Sequence, residues 1–120
     1  MLSASDKNLY IYPIFYSMNS TLQIINQVFE IQTKLKELKE ATAFERNFLR
    51  LFDILEQEGY VVQNPLNEVY TESRTDCEAS IVGQPASKMK IAKVLKPIIY
   101  QKQQSNVQLL QKAIVLVEKF

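Results

Sequence analysis

Between residues 24 and 38 apolar side chains recur at Ile24, Val28, Ile31, Leu35 and Leu38, at spacings of four, three, four and three. That alternation is the signature of a helix with a narrow seam that faces another helix. Just upstream, STLQ (20–23) reads as a capping box, with Ser20 accepting from an orphan backbone N–H and Gln23 reaching back. Glu30 with Lys34, and Lys36 with Glu40, stand four apart and support the exposed face by a few tenths of a kcal/mol each in isolated helices. The seam decides the helix; the charges only decorate it.

At ATA (41–43) the phase slips, since Leu38, Ala41 and Phe44 are spaced three and three before Phe48, Leu51 or Phe52, and Leu55 resume. An inserted three overwinds a coiled coil or marks a change of packing partner. The second segment, FERNFLRLFDILEQEG (44–59), has a broader, more aromatic face that suits a bundle. Gly59 follows its last periodic residue as a natural stop. Beyond it the pattern changes. YVVQ (60–63) is short and β-branched, NPLN (64–67) has turn chemistry, EVYTES (68–73) reads as a returning strand, and SIVG (80–83) as another. KIAKVLKPIIY (90–100) and VQLLQKAIVLVEKF (107–120) flank a hairpin-type loop, with Pro97 marking an edge or a bulge. The final run also has helical spacing; its β-branched content favours strand. The expected fold is therefore α+β: a long helix or helical pair over about 20–58, then a small, mainly antiparallel β unit over about 60–120. The units expected are a helical, dimerising segment (1–59) and a β head (60–120).

Formal net charge is +1 across 120 residues, and the lysines are interleaved with acids or glutamines, which argues against a nucleic-acid binder. There are no histidines and one cysteine, Cys77. The commonest general base and metal ligand are therefore missing, and no cofactor or metal is expected. A lone cysteine suits a reducing compartment. The apolar run LYIYPIFY (9–16) is far too short to span a bilayer and contains Pro13, so the expectation is a soluble, cytoplasmic chain with no membrane partner. The aromatic run 9–18 reads as an N-terminal strand or a staple on the helix start, ahead of a stacking platform, because it lacks interleaved Lys and Arg. KMKIAKVLK (88–96) reads as an edge strand with Lys88, Lys90 and Lys96 in solvent.

The order of helix, glycine, strand, proline turn and small β head, together with particular positions, resembles the GrpE family of nucleotide exchange factors. The family's first head loop runs roughly P-x-G-E-x-F-D-P-x-x-H-E-A-V. PLNEVYTESRTDCEASI (65–81) matches it at Pro65, Glu68, Tyr70 and Glu78-Ala79, with two extra residues between Tyr70 and Glu78. LLQKAIVLVEK (109–119) echoes the family's closing strand at Ala113, Val115 and Val117. Asn67 stands where the family has glycine, Cys77 where it has histidine, and Gln111-Lys112 where it has Arg-Pro; the D-P dipeptide and the glycine-tyrosine before the last strand are missing. The resemblance implies a homodimer that binds the ATPase domain of an Hsp70-type chaperone, wedges it open and releases ADP without touching the nucleotide. No residue of the factor performs chemistry.

The stretch YTESRTDCEASIVG (70–83) is the densest cluster of charge. Thr75 to Glu78 reads first as a second capping box. As a docking loop it offers Glu68, Tyr70, Arg74, Asp76 and Glu78 to a protein partner. A catalytic reading would pair Asp76 with Glu78, crowding one pKa upward, or activate Cys77 beside Arg74; without histidine this is the weakest of the three. The leading expectation is a non-enzymatic chaperone cofactor, dimerising through Ile24, Val28, Ile31, Leu35 and Leu38. A scaffold with another partner and a small enzyme are the alternatives, as is a monomer whose helix folds over its own β unit.

Overall fold

The computed structural model describes the backbone from Ala4 to Phe120 and the side chains from Ser20 onward. Two helices, α1 (Ala4–Glu37) and α2 (Glu45–Gln57), are separated by a 3₁₀ turn (Ala41–Phe44). Seven strands follow: β1 (Tyr60–Gln63), β2 (Val69–Tyr70), β3 (Cys77–Ile81), β4 (Met89–Lys96), β5 (Ile98–Gln103), β6 (Asn106–Gln111) and β7 (Ala113–Lys119). The fold is α+β, and its helical half is a pair.

The break between the helices is a Schellman closure. Glu40 N–H bonds the Leu35 carbonyl and Lys39 N–H that of Lys36, with Lys39 at φ 60° in the left-handed region. Glu40 thus lies past the helix end, and the expected Lys36–Glu40 pair does not form; Lys34 and Glu30 do pair, at 3.4 Å. Ser20 and Gln23 fall inside α1. Their expected capping box does not start the helix, because N–H groups there bond the preceding turn. The backbone of 9–18 belongs to α1 rather than to a strand; how its aromatic side chains pack lies outside the described residues.

α2 ends as its sequence dictates. Gly59 takes φ 95°, and a Cβ there would come within 3.0 Å of the Lys102 carbonyl. Only glycine meets both demands.

The two sheets are built from one long, bent hairpin. Its arms run from Met89 to Gln103 and from Asn106 to Lys119, turning at Gln104 and Ser105. Pro97 and Lys112 interrupt the arms opposite each other. The base, β4 with β7, belongs to the sheet ordered β2-β4-β7-β3, and the tip, β5 with β6, to the sheet ordered β1-β5-β6. Every pairing is antiparallel except β3 with β7, which is parallel in the register Cys77↔Ala113 through Ile81↔Val117. Pro97 is buried at the corner where the chain changes sheet; of the expected edge or bulge, the edge is absent and register shifts flank the proline on both sides. β4 is likewise no edge strand: it lies between β2 and β7, with Lys88 and Lys96 exposed and Lys90 half-buried. Register shifts around Ala92 and Leu95 upset its alternation, so Met89, Ile91 and Val94 are the residues that point inward.

Phe29 of α1 joins Cys77, Met89, Ile91, Val94, Ile98, Ala113, Val115 and Val117 in one core cluster. Ile25 is fully buried and Phe29 is 3% exposed. Each such burial is worth roughly 1.5–3 kcal/mol, against a few tenths for the Lys34–Glu30 pair, so packing stabilises the helix more than its surface charges do. The expected seam is a different stripe. Ile24, Ile31 and Leu38 are 61, 51 and 70% exposed, with Val28 and Leu35 half-buried. The helix meets its own β unit through Phe29 and Asn26 and leaves Ile24, Ile31 and Leu38 exposed. No helix among the described residues is long and apolar enough to cross a membrane.

Candidate functional site: a stapled loop on the head

The loop between β1 and β3 is shaped from its first residues. Asn64 Oδ1 accepts from Leu66 N–H, Pro65 is buried, and Glu68 N–H closes a turn on the Pro65 carbonyl. Asn67, at the third position of that turn, holds φ 69°. This is the left-handed conformation that favours glycine, and asparagine tolerates it. Asn67 N–H bonds the Ile91 carbonyl and Ile91 N–H that of Glu68, which ties the loop to β4.

Arg74 closes the other end. Its Nε and Nη2 meet Asp76 Oδ1 and Oδ2 at 2.9 and 3.1 Å, a bidentate fork. Nη1 donates to the Val69 carbonyl at 3.2 Å and lies 3.1 Å from Glu68 Oε1. Thr71 and Ser73 share a hydroxyl bond of 2.8 Å in the turn closed by Arg74 N–H on the Thr71 carbonyl. One guanidinium therefore staples β2, the loop and the start of β3.

Hydrogen bonding to Arg74 holds Asp76 below the usual carboxylate range, against the opposing effect of partial burial. The same bond raises the Arg74 pKa further still, so both groups stay charged. The crowding expected to push a carboxyl up is thus absent at Asp76. Burial pushes the Cys77 thiol up to about 11, and the nearby guanidinium only partly opposes this. Cys77 is a buried member of the core facing Ala113. A thiolate at Cys77 and a protonated Asp76 are therefore both disfavoured at neutral pH. The arrangement cross-links the loop to β2 and to the start of β3.

Of the five expected partner-binding residues, Arg74 and Asp76 are turned towards each other, half-buried. Tyr70 packs partly against the core. Glu68 and Glu78 are exposed, as is Glu72 between them in sequence. Thr75 to Glu78 begins no helix. Cys77 onward is β3, starting earlier than SIVG suggests, while β2 keeps only Val69 and Tyr70 of its expected run. The alternation of Cys77, Ala79 and Ile81 with Glu78 and Ser80 is a period-two signal hidden by the density of charge.

Sequence reasoning also missed a second polar lock. Asn26 Nδ2 donates to Gln111 Oε1 at 2.9 Å, and Gln111 Nε2 returns a bond to Asn26 Oδ1 at 2.8 Å while reaching the Pro97 carbonyl at 2.9 Å. The clasp fixes α1 to the corner of the bent hairpin. Two amides separated by 85 positions give no local signal. Among the described residues no group of three or more Cys, Asp or Glu side chains is arranged to hold a metal ion. Comparison of the chain with protein-family models, curated proteins and solved structures finds no match.

Proposed function

We propose that this chain is a non-enzymatic, protein-binding cofactor that works as a homodimer and promotes ADP release from an Hsp70-type chaperone. The observation that carries the reading is the Arg74 staple. It turns an acidic loop into a preformed surface on a small β head, and preformed surfaces lose little entropy on binding. Glu68 and Glu78 present the charge, Tyr70 supports the loop from beneath, and Arg74 and Asp76 set its shape. The exposed seam of Ile24, Ile31 and Leu38 supports pairing, since an apolar stripe of this spacing is buried by a second helix. The chaperone itself enters through the sequence resemblance at Pro65, Glu68, Tyr70, Glu78-Ala79 and the closing strand.

The head binds the open, nucleotide-poor state of its partner more tightly than the closed one. By linkage it weakens ADP binding by the same factor. Stopped-flow release of a fluorescent ADP from the Hsp70-type ATPase domain tests this: the protein accelerates release in a saturable way. An unchanged rate at saturating protein removes the chaperone assignment.

A second reading, an interaction module with another protein partner, draws on Arg74 being occupied with Asp76 and Glu68, which leaves the exposed Glu78 and the outward side of Glu68 for recognition. In that case a partner captured by the wild-type chain is lost on reversing Glu68 and Glu78, while ADP release is untouched.

A further inference from the structure

We infer that the groove between α1 and β4 is a docking site for a protein segment that presents an apolar side chain beside a carboxylate. The inference rests on the partner-binding reading above and places a second contact on the same loop. Two adjoining hollows, of about 280 and 150 Å³, share Phe29, Thr33, Glu37, Lys93 and Val94, and so form one groove. Its floor is apolar: Phe29 and Val94 are buried there, and Leu66 and Leu95 stand exposed at its two ends. The groove exists because β2 covers β4 only at Met89 and Lys90, and because the irregular position beyond them is filled by a small residue, Ala92.

The rim selects the occupant. Lys36 and Lys93 have no ion-pair or hydrogen-bond partner among the described residues, whereas Lys34 is taken by Glu30. Asn64 uses its side-chain oxygen on Leu66 N–H, which leaves its amide to donate. The Thr33 hydroxyl is committed to the Phe29 carbonyl. Among the described residues, Glu37 is the one rim carboxylate without a partner. Free donors thus outnumber free acceptors around an apolar floor, and a ligand with a carboxylate next to an apolar side chain satisfies both. Continuity with the stapled loop supports the same partner: Asn64 and Leu66 line the groove, and the backbone from Asn67 to Glu68 is bonded to Ile91, next to Ala92.

The test is an NMR titration of the isotope-labelled full chain with two short peptides. Each carries a central leucine, flanked by glutamates in one and by lysines in the other. Amide signals of Thr33, Ala92 and Val94 shift saturably with the glutamate peptide and stay unmoved by the lysine peptide. Lys36→Glu with Lys93→Glu weakens the glutamate peptide about tenfold or more, as expected for reversed charge at a rim. Ala92→Phe fills the floor and abolishes the shifts. Both changes are checked for an intact fold by the remaining amide spectrum. No shift with either peptide, equal shifts with both, or shifts indifferent to the charge reversal overturn the inference. ADP release is read separately, so its failure beside an intact peptide preference removes the chaperone and keeps the groove.

Discussion

Asn67 turns the loop at a φ of 69°, and its side chain is what lets a residue other than glycine stand there. Asn67→Gly is expected to be neutral within a few tenths of a kcal/mol, and Asn67→Val to cost about 1–2 kcal/mol in chemical denaturation, because a β-branched residue is strained at positive φ. The departure from the glycine of the resembled motif was visible in the sequence; its harmlessness was not, since no local pattern reports a backbone angle. Arg74→Ala removes the fork and leaves Asp76 half-buried, a loss of about 1–3 kcal/mol. The pH dependence has two arms of opposite sign. The folded pKa of Asp76 lies below its unfolded value, so its contribution is present above the ordinary aspartate range and is lost as pH falls through the depressed pKa. Asp76→Asn flattens that acid arm. The Cys77 thiol is raised from 9.0 to about 11, so its contribution is whole below 9 and is lost as pH rises to about 11. Cys77→Ala flattens the alkaline arm, which thermal melts across the pH range would display. Acid and alkaline arms that survive both substitutions unchanged contradict the roles given to these two groups.

At the level of elements, the position of α1 is set by two overlapping stripes. The heptad seam from Ile24 to Leu38 has five members and dominates any count of periodicity. Among the described residues the helix buries Ile25 and Phe29 before the stripe continues into Thr33 and Lys36, so that stripe is less prominent in the sequence than the seam. Strand content was legible from β-branched runs, but the division of each hairpin arm at Pro97 and Lys112 was not, because only tertiary packing shows that the two halves serve different sheets. The helix end at Lys39 was legible as a phase slip and not as a stop, since lysine replaces the usual glycine. The Asn26–Gln111 clasp is the polar part of the helix–head contact. Asn26→Ala and Gln111→Ala are each expected to cost about 1–3 kcal/mol, with the double variant well below their sum. Additive losses in urea unfolding would show that the two amides are not coupled.

For the whole molecule, the helical arm contributes one face to its own head and leaves Ile24, Ile31 and Leu38 exposed, the face proposed to pair with a second copy. Ile24→Glu with Ile31→Glu is expected to convert a dimer to a folded monomer in sedimentation, because both side chains lie outside the core. A wild-type chain that sediments as a monomer at high concentration contradicts the pairing. The charged stretch from Tyr70 to Gly83 was legible as the place to look. The Arg74–Asp76 fork within it was not, because charge density alone does not report which side chains pair. What the staple prepares is a surface, and the central claim is that this surface prefers the open form of an ATPase. Calorimetric titration of the head-bearing chain into the Hsp70-type ATPase domain, nucleotide-free and ADP-loaded, measures that preference directly. Tighter binding to the nucleotide-free domain, by the same factor by which the chain weakens ADP, is the expected result; equal affinity for the two forms, or no binding to either, would contradict it.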